Sequence, residues 1–101
     1  MYLDGEGVPQ DDVEAVRLYR LAADQGNAGA QNNLGYSYAN GFGVPEDMVL
    51  GHMWFNIAAA QGVEDAQSGK DQLEERMTPE QIVEAQRLSR EWLEAHPPGG
   101  N

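Results

Sequence analysis

The 101-residue chain contains no cysteine and only six Lys and Arg. Without thiols there is no disulfide, no thiolate nucleophile and no cysteine-ligated zinc, and the compartment is left open. Against those six cations stand 17 Asp and Glu, for a formal net charge of −11. Phosphate binding needs clustered Lys and Arg, so a nucleic-acid ligand is excluded as an expectation, and an anionic membrane surface is disfavoured on the same ground. Long apolar runs are missing too. The longest, Ile57-Ala58-Ala59-Ala60, falls far short of the roughly 20 residues that a spanning helix needs. The opening Met-Tyr-Leu-Asp-Gly-Glu has neither a basic nor a hydrophobic leader region, so no signal peptide is expected in it. Val, Ile and Thr are scarce, which leaves little material for a sheet.

What is present is a repeat. Displacing the chain by 36 residues places Tyr2 on Tyr38, Gly5-x-Gly7-Val8-Pro9 on Gly41-x-Gly43-Val44-Pro45, Asp11 on Asp47 and Val13 on Val49. The register continues through Ala22-Ala23 on Ala58-Ala59, Gln25-Gly26 on Gln61-Gly62 and Ala30-Gln31 on Ala66-Gln67. Recurrence of Gly, Pro and Ala at punctuating positions means that the same turns and close packings recur.

Within each unit the signals are helical. Acidic residues follow the Gly-x-Gly-Val-Pro turn, where they suit the positive end of a helix dipole, and Gly26 and Gly62 sit where a helix must stop with positive φ. Ala15, Tyr19, Ala22 and Ala23 form a stripe of helical period, repeated more heavily by Trp54, Phe55, Ala58 and Ala59. A helix from Ala28 to Asn40 lies between, with Ala30, Leu34 and Tyr38 on one side and Gly35 marking a close approach. Thr78-Pro79-Glu80-Gln81 predicts an N-cap, a proline at the first helical position and a capping box. Helices are therefore expected over 12–25, 28–40, 47–61, 63–77 and 79–95, an all-α chain.

The unit Ala30-x3-Leu34-Gly35-x2-Tyr38-x2-Gly41-x-Gly43-Val44-x2-Asp47, with Trp54-Phe55-x2-Ala58-Ala59-x2-Gly62, resembles the Sel1-like repeat, a relative of the tetratricopeptide repeat. The stretch from Met77 through Leu93 is similar to the terminal helix of many bacterial members. The resemblance implies antiparallel helix-turn-helix units stacked as a right-handed α/α superhelix, acting as a non-catalytic scaffold for a protein or peptide partner. Residues 1–26 then form the second half of a first repeat and 27–62 a full repeat. Residues 63–96 form a degraded third repeat with a capping helix, in which Lys70 and Asp71 stand where Leu34 and Gly35 stood; 97–101 form a disordered tail.

The candidate sites follow from spacing. The Gly-x-Gly pairs lack the strand and the third glycine or Gly-Lys-Ser/Thr of a phosphate cradle, so they are turns. The acidic residues Asp4 to Glu14 lack calcium-loop spacing, His52 and His96 are too far apart in sequence for a helical zinc pair, and no nucleophile elbow occurs. No catalytic residue, metal or cofactor is expected. His52 is predicted to be a partly buried packing residue, and Trp54, Phe55 and Trp92 are predicted to be core. Asn32, Tyr36 and Asn40, with Asn33 beside them, form a stripe opposite Ala30, Leu34 and Tyr38. They are the partner-binding candidates on the expected concave face, where amides read a backbone and Tyr adds apolar area. The alternative is an acidic decoy that occupies a basic surface of a nucleic-acid-binding protein. Val13, Val16, Leu18, Tyr19 and Leu21 spread over more than one face of the first helix, which predicts self-association of the chain as a two-fold dimer through that edge.

Overall fold

A computed structural model describes residues 9–97. It contains α1 Pro9–Asp24, α2 Ala28–Asn40, α3 Met48–Ala60, α4 Glu64–Glu74 and α5 Pro79–Ala95, with no strand among the described residues. The first turn at Gly5 to Val8, the elements ascribed to Met1, Tyr2 and Leu3, and the tail beyond Pro97 lie outside the described residues.

Each helix boundary has a local cause. α1 ends in a two-bond reversal in which the Gly26 N–H donates to Ala23 O (2.9 Å) and the Asn27 N–H to Ala22 O (3.1 Å). Gly62 and Val63 repeat it on Ala59 and Ala58. Both glycines have φ near the left-handed region, +95° and +97°. Asn27 at once caps α2, its Oδ1 accepting from the Ala30 N–H at 2.8 Å, so α1 and α2 are antiparallel neighbours. Asp47 caps α3 through the Leu50 N–H at 3.0 Å. Thr78 and Gln81 form the expected capping box, with Pro79 in the first turn.

Two boundaries differ from expectation by more than one residue. α1 begins at Pro9 and not at residue 12, because the fixed φ of proline suits a first helical turn, where its missing N–H costs nothing. α4 stops at Glu74, three residues short of 77. Its end tightens into three-residue hydrogen bonds, Glu75 N to Gln72 O, Arg76 N to Leu73 O and Met77 N to Glu74 O, and Thr78 must then be extended to cap α5.

α3 is the central element, flanked by α2, α4 and α5, while α1 packs on α2. Phe55, Ile57 and Ala58 on α3 are fully buried and Trp54 nearly so, as a core role requires. α5 lies along α3, where Trp92 meets Trp54 edge to face at 5.6 Å and Ser89 Oγ accepts from the Asn56 amide at 3.1 Å. Gln31, fully buried, donates to the terminal carbonyl of Ala23 at 3.1 Å and accepts from Gln61. This amide link satisfies α1's C-terminus from within the next unit.

The closest approach is made by glycine. A Cβ on Gly35 of α2 would lie 2.5 Å from the Phe55 ring, and one on Gly69 of α4 would lie 2.7 Å from it. Gly35 therefore marks the close contact that its place in the helix predicts. The stretch beyond the matched repeats, in which Lys70 and Asp71 stand where Leu34 and Gly35 stood, keeps a glycine approach of its own two residues earlier than Asp71, at Gly69.

His52 departs from the expected partly buried packing role. It is fully buried, and its Nε2 lies 2.7 Å from Glu74 Oε2. The carboxylate can only accept, so the ring proton sits on Nε2, while Nδ1 is buried without a partner. Alignment opposite Val16 suggests an apolar site, yet the partner comes from α4, outside the repeat match. The His52 hydrogen bond holds the Glu74 carboxyl below the usual carboxylate range; partial burial opposes this, and Lys70 Nζ, 3.6 Å from the same oxygen, assists it.

Two predictions follow from this packing. Gly35→Ala should destabilise by about 1–3 kcal/mol, as overpacking against a caged ring does, whereas Gly29→Ala, with open surroundings apart from Asn27 Oδ1 at 3.4 Å, should stabilise by up to about 1 kcal/mol. Chemical denaturation of the two variants checks the opposite signs. The second concerns pH. A carboxyl depressed in the folded state contributes stability above its ordinary pKa of 4.5 and loses it as pH falls through the lower folded value. Glu74→Gln should therefore lower the melting temperature at pH 7, and the gap to the parent chain should close on acidification below 4.5.

Candidate functional site

The outward sides of α2 and α4 frame a cleft of about 150 Å³. Its floor is apolar, made by Ala39, Phe55, Gly69 and Leu73, and its rim is polar, made by Tyr36, Asn40, Gln72 and Arg76. Gly69 on the floor is the residue that lets α4 close on Phe55. The cleft is thus a by-product of the packing that builds the core. Tyr36 stands at its edge, with its ring 5.0 Å from that of Phe55 at an interplanar angle of 82°. Asn40 donates to the Tyr36 carbonyl at 3.0 Å, which uses one amide hydrogen and leaves its oxygen available. Arg76 pairs with Glu46 at 3.1 Å, so the one charged group on the rim is compensated from the α2–α3 loop.

The structure therefore brings together two of the four candidate residues, Tyr36 and Asn40, in this cleft. Asn33 is exposed on the same helix and lines a second cleft with Tyr36 on the α1 side. Asn32 lines neither of these clefts; it is half-buried and its Oδ1 is enclosed without a hydrogen-bond partner. Sequence spacing did not assign Gln72 and Arg76, although the 36-residue displacement places them on Tyr36 and Asn40 and could have found them.

Charge lies mostly elsewhere. On exposed sides, Arg17 holds the Glu14 carboxyl below its ordinary range, and Arg87 does the same to Glu84 while also pairing with Glu91. Val13, Leu18 and Leu21 are each more than half exposed on α1, the edge for which the sequence predicts self-association. Val16 is buried and Tyr19 half-buried against α2, so the spread over more than one face is real. Near the other end His96 stacks on Trp92 at 3.8 Å. Among the described residues no group of three or more His, Asp or Glu is placed to hold a metal ion, and no described helix is long and apolar enough to cross a membrane.

The comparisons with known proteins agree with this architecture. The family described as Sel1 repeat matches residues 1–27 and 28–63. No curated protein matches the chain. The chain is similar to the crystal structure of c5321, a protective antigen present in uropathogenic Escherichia coli strains displaying an SLR fold, with a TM-score of 0.81 and 30% sequence identity. That similarity covers 88% of this chain and 19% of the antigen's, so the chain spans about a fifth of that protein's length. Sel1 repeats are in general protein–protein interaction modules and typically non-catalytic scaffolds. With two matched units in the register of its own 36-residue period, five helices among the described residues, and an SLR-fold neighbour over most of its length, the chain is an all-α repeat solenoid that belongs to the Sel1 repeat family.

Proposed function

We propose that this chain is a non-catalytic interaction scaffold that holds an extended segment of a partner protein in the cleft between α2 and α4. The observation that carries the reading is the composition of that cleft: an apolar floor of Ala39, Phe55, Gly69 and Leu73 beneath the amides of Asn40 and Gln72 and the phenol of Tyr36. A peptide backbone offers alternating N–H and C=O groups, and amide side chains both donate and accept, so they match it in either direction. The floor takes the peptide's apolar side chains out of water, and the helix-held rim loses little freedom on binding.

The same composition speaks against charge as the main source of affinity. The cleft contains no carboxylate, and its single cation is paired with Glu46. An acidic decoy would place carboxylates at the contact, and those of this chain lie largely on other surfaces.

The test is a panel of unstructured dodecamer peptides selected from a random display library against the folded chain. Replacing Asn40 and Gln72 together by Ala should weaken the selected peptides roughly tenfold, equivalent to about 1.4 kcal/mol, while thermal stability is kept. Unchanged affinity in that variant, with binding that collapses steeply as salt rises, would contradict the cleft and favour the charge-driven alternative.

A further inference from the structure

The second cleft, on the α1 side of Tyr36, has a volume of about 170 Å³ and different chemistry. Its lining includes three aromatic side chains, Tyr19, Tyr36 and Phe42, together with Asp12 and Asn33, and no basic residue. Phe42 is the unusual member. It is 55% exposed, yet its backbone is held on both sides. The Phe42 N–H donates to Ser37 O at 2.9 Å, and Gly41 before it closes α2 with φ +73°. Gly43 after it, at φ +78°, lies so close to the Asp12 carbonyl that a Cβ would not fit. The Asp47 N–H, bonded to Tyr38 O at 2.8 Å, pins the far end of the loop. A large aromatic presented from a fixed backbone loses little entropy when it is covered by a ligand.

Aromatic faces carry negative potential and attract cations, and a carboxylate beside them adds a full negative charge. The chain's net charge of −11 raises the local concentration of cationic partners. The repeat displacement sharpens the contrast: it puts Met48 at the place of Asp12 and Arg76 at the place of Asn40. The neighbouring cleft has no carboxylate in its lining and its one cation is paired with Glu46, whereas this one is lined by Asp12. The two clefts share Tyr36 and differ in charge, the first compensated and this one acidic, so a segment lying across them is read with a polarity.

Building on the segment-binding reading above, we propose that the cleft formed by Asp12, Tyr19, Asn33, Tyr36 and Phe42 takes an arginine or lysine side chain of the partner and thereby sets the register of the bound segment. An aliphatic side chain would leave Asp12 unanswered, and an acidic one would be repelled by it.

Two nine-residue peptides of alternating Ala and Ser test this, one with a central arginine and one with central citrulline, the neutral analogue of the same shape. Each is titrated into the ¹⁵N-labelled chain. The arginine peptide should shift the backbone amides of Asn33, Phe42 and Gly43 and bind about fivefold more tightly than the citrulline peptide. Asp12→Asn and Phe42→Ala should each remove most of that difference while the thermal unfolding curve stays in place. Equal affinity for the two peptides, a preference that survives both variants, or no shift in this cleft up to about 10 mM peptide would overturn the proposal. Shifts confined to Asn40, Gln72 and Arg76 would overturn it too, yet leave the segment-binding reading standing. That reading is judged separately by the library-selected peptides and the Asn40 and Gln72 variant.

Discussion

The Phe55 ring lies between two glycines, Gly35 from α2 and Gly69 from α4, at distances that exclude a Cβ on either. This contact decides how far apart three helices stand. Burying a phenylalanine contributes about 1.5–3 kcal/mol, and here one ring supplies that to two interfaces at once. Because Phe55 and Gly35 belong to the matched unit 28–63 while Gly69 belongs to the helix that follows it, the contact joins that unit to its neighbour as well as helix to helix. A solenoid depends on such neighbour contacts, since no single unit can cover its own apolar faces. The cleft between α2 and α4 then has Phe55 and Gly69 as its floor, so the face proposed to bind and the core share atoms.

The buried polar groups act on the same junctions. His52 and Glu74 tie α3 to α4, and Gln31 and Gln61 tie the ends of α1 and α3 to the start of α2. Each is directional, so each fixes the register of helices that apolar contact alone would let slide. The exposed pairs of Glu14 with Arg17 and of Glu84 with Arg87 lie within single helices and join no two elements. They keep the outer sides solvated and add little to specificity. In a chain this acidic, the division leaves the proposed cleft between α2 and α4 almost free of net charge.

Much of the fold is legible in the sequence because its signals are local. Gly26 and Gly62 stop helices by conformation, Thr78 and Gln81 start one by mutual hydrogen bonds, and α2 runs over the expected 28–40 because both ends carry such signals. The hidden parts are tertiary. Gly69 is missed because the repeat displacement pairs it with Asn33, so its approach to Phe55 has no counterpart in the preceding unit. His52 reads as a packing residue because Glu74 lies outside the matched repeats. The candidate site divides in the same way. Helical period places Tyr36 and Asn40 on the outward side of α2, but the facing Gln72 and Arg76 come from another helix. The prominence of Phe42 depends on how a glycine-rich loop seats against Asp12, which no periodicity encodes.

A double-mutant cycle between Gly69→Ala and Phe55→Leu, measured by equilibrium denaturation, tests the central contact most directly. Gly69→Ala should be destabilising in the parent chain and close to neutral or stabilising once the ring is replaced by the smaller leucine. The account predicts a coupling of about 1–3 kcal/mol between the two positions. Costs that add to within about 0.3 kcal/mol would mean that the ring and the glycine do not constrain each other, and would contradict it.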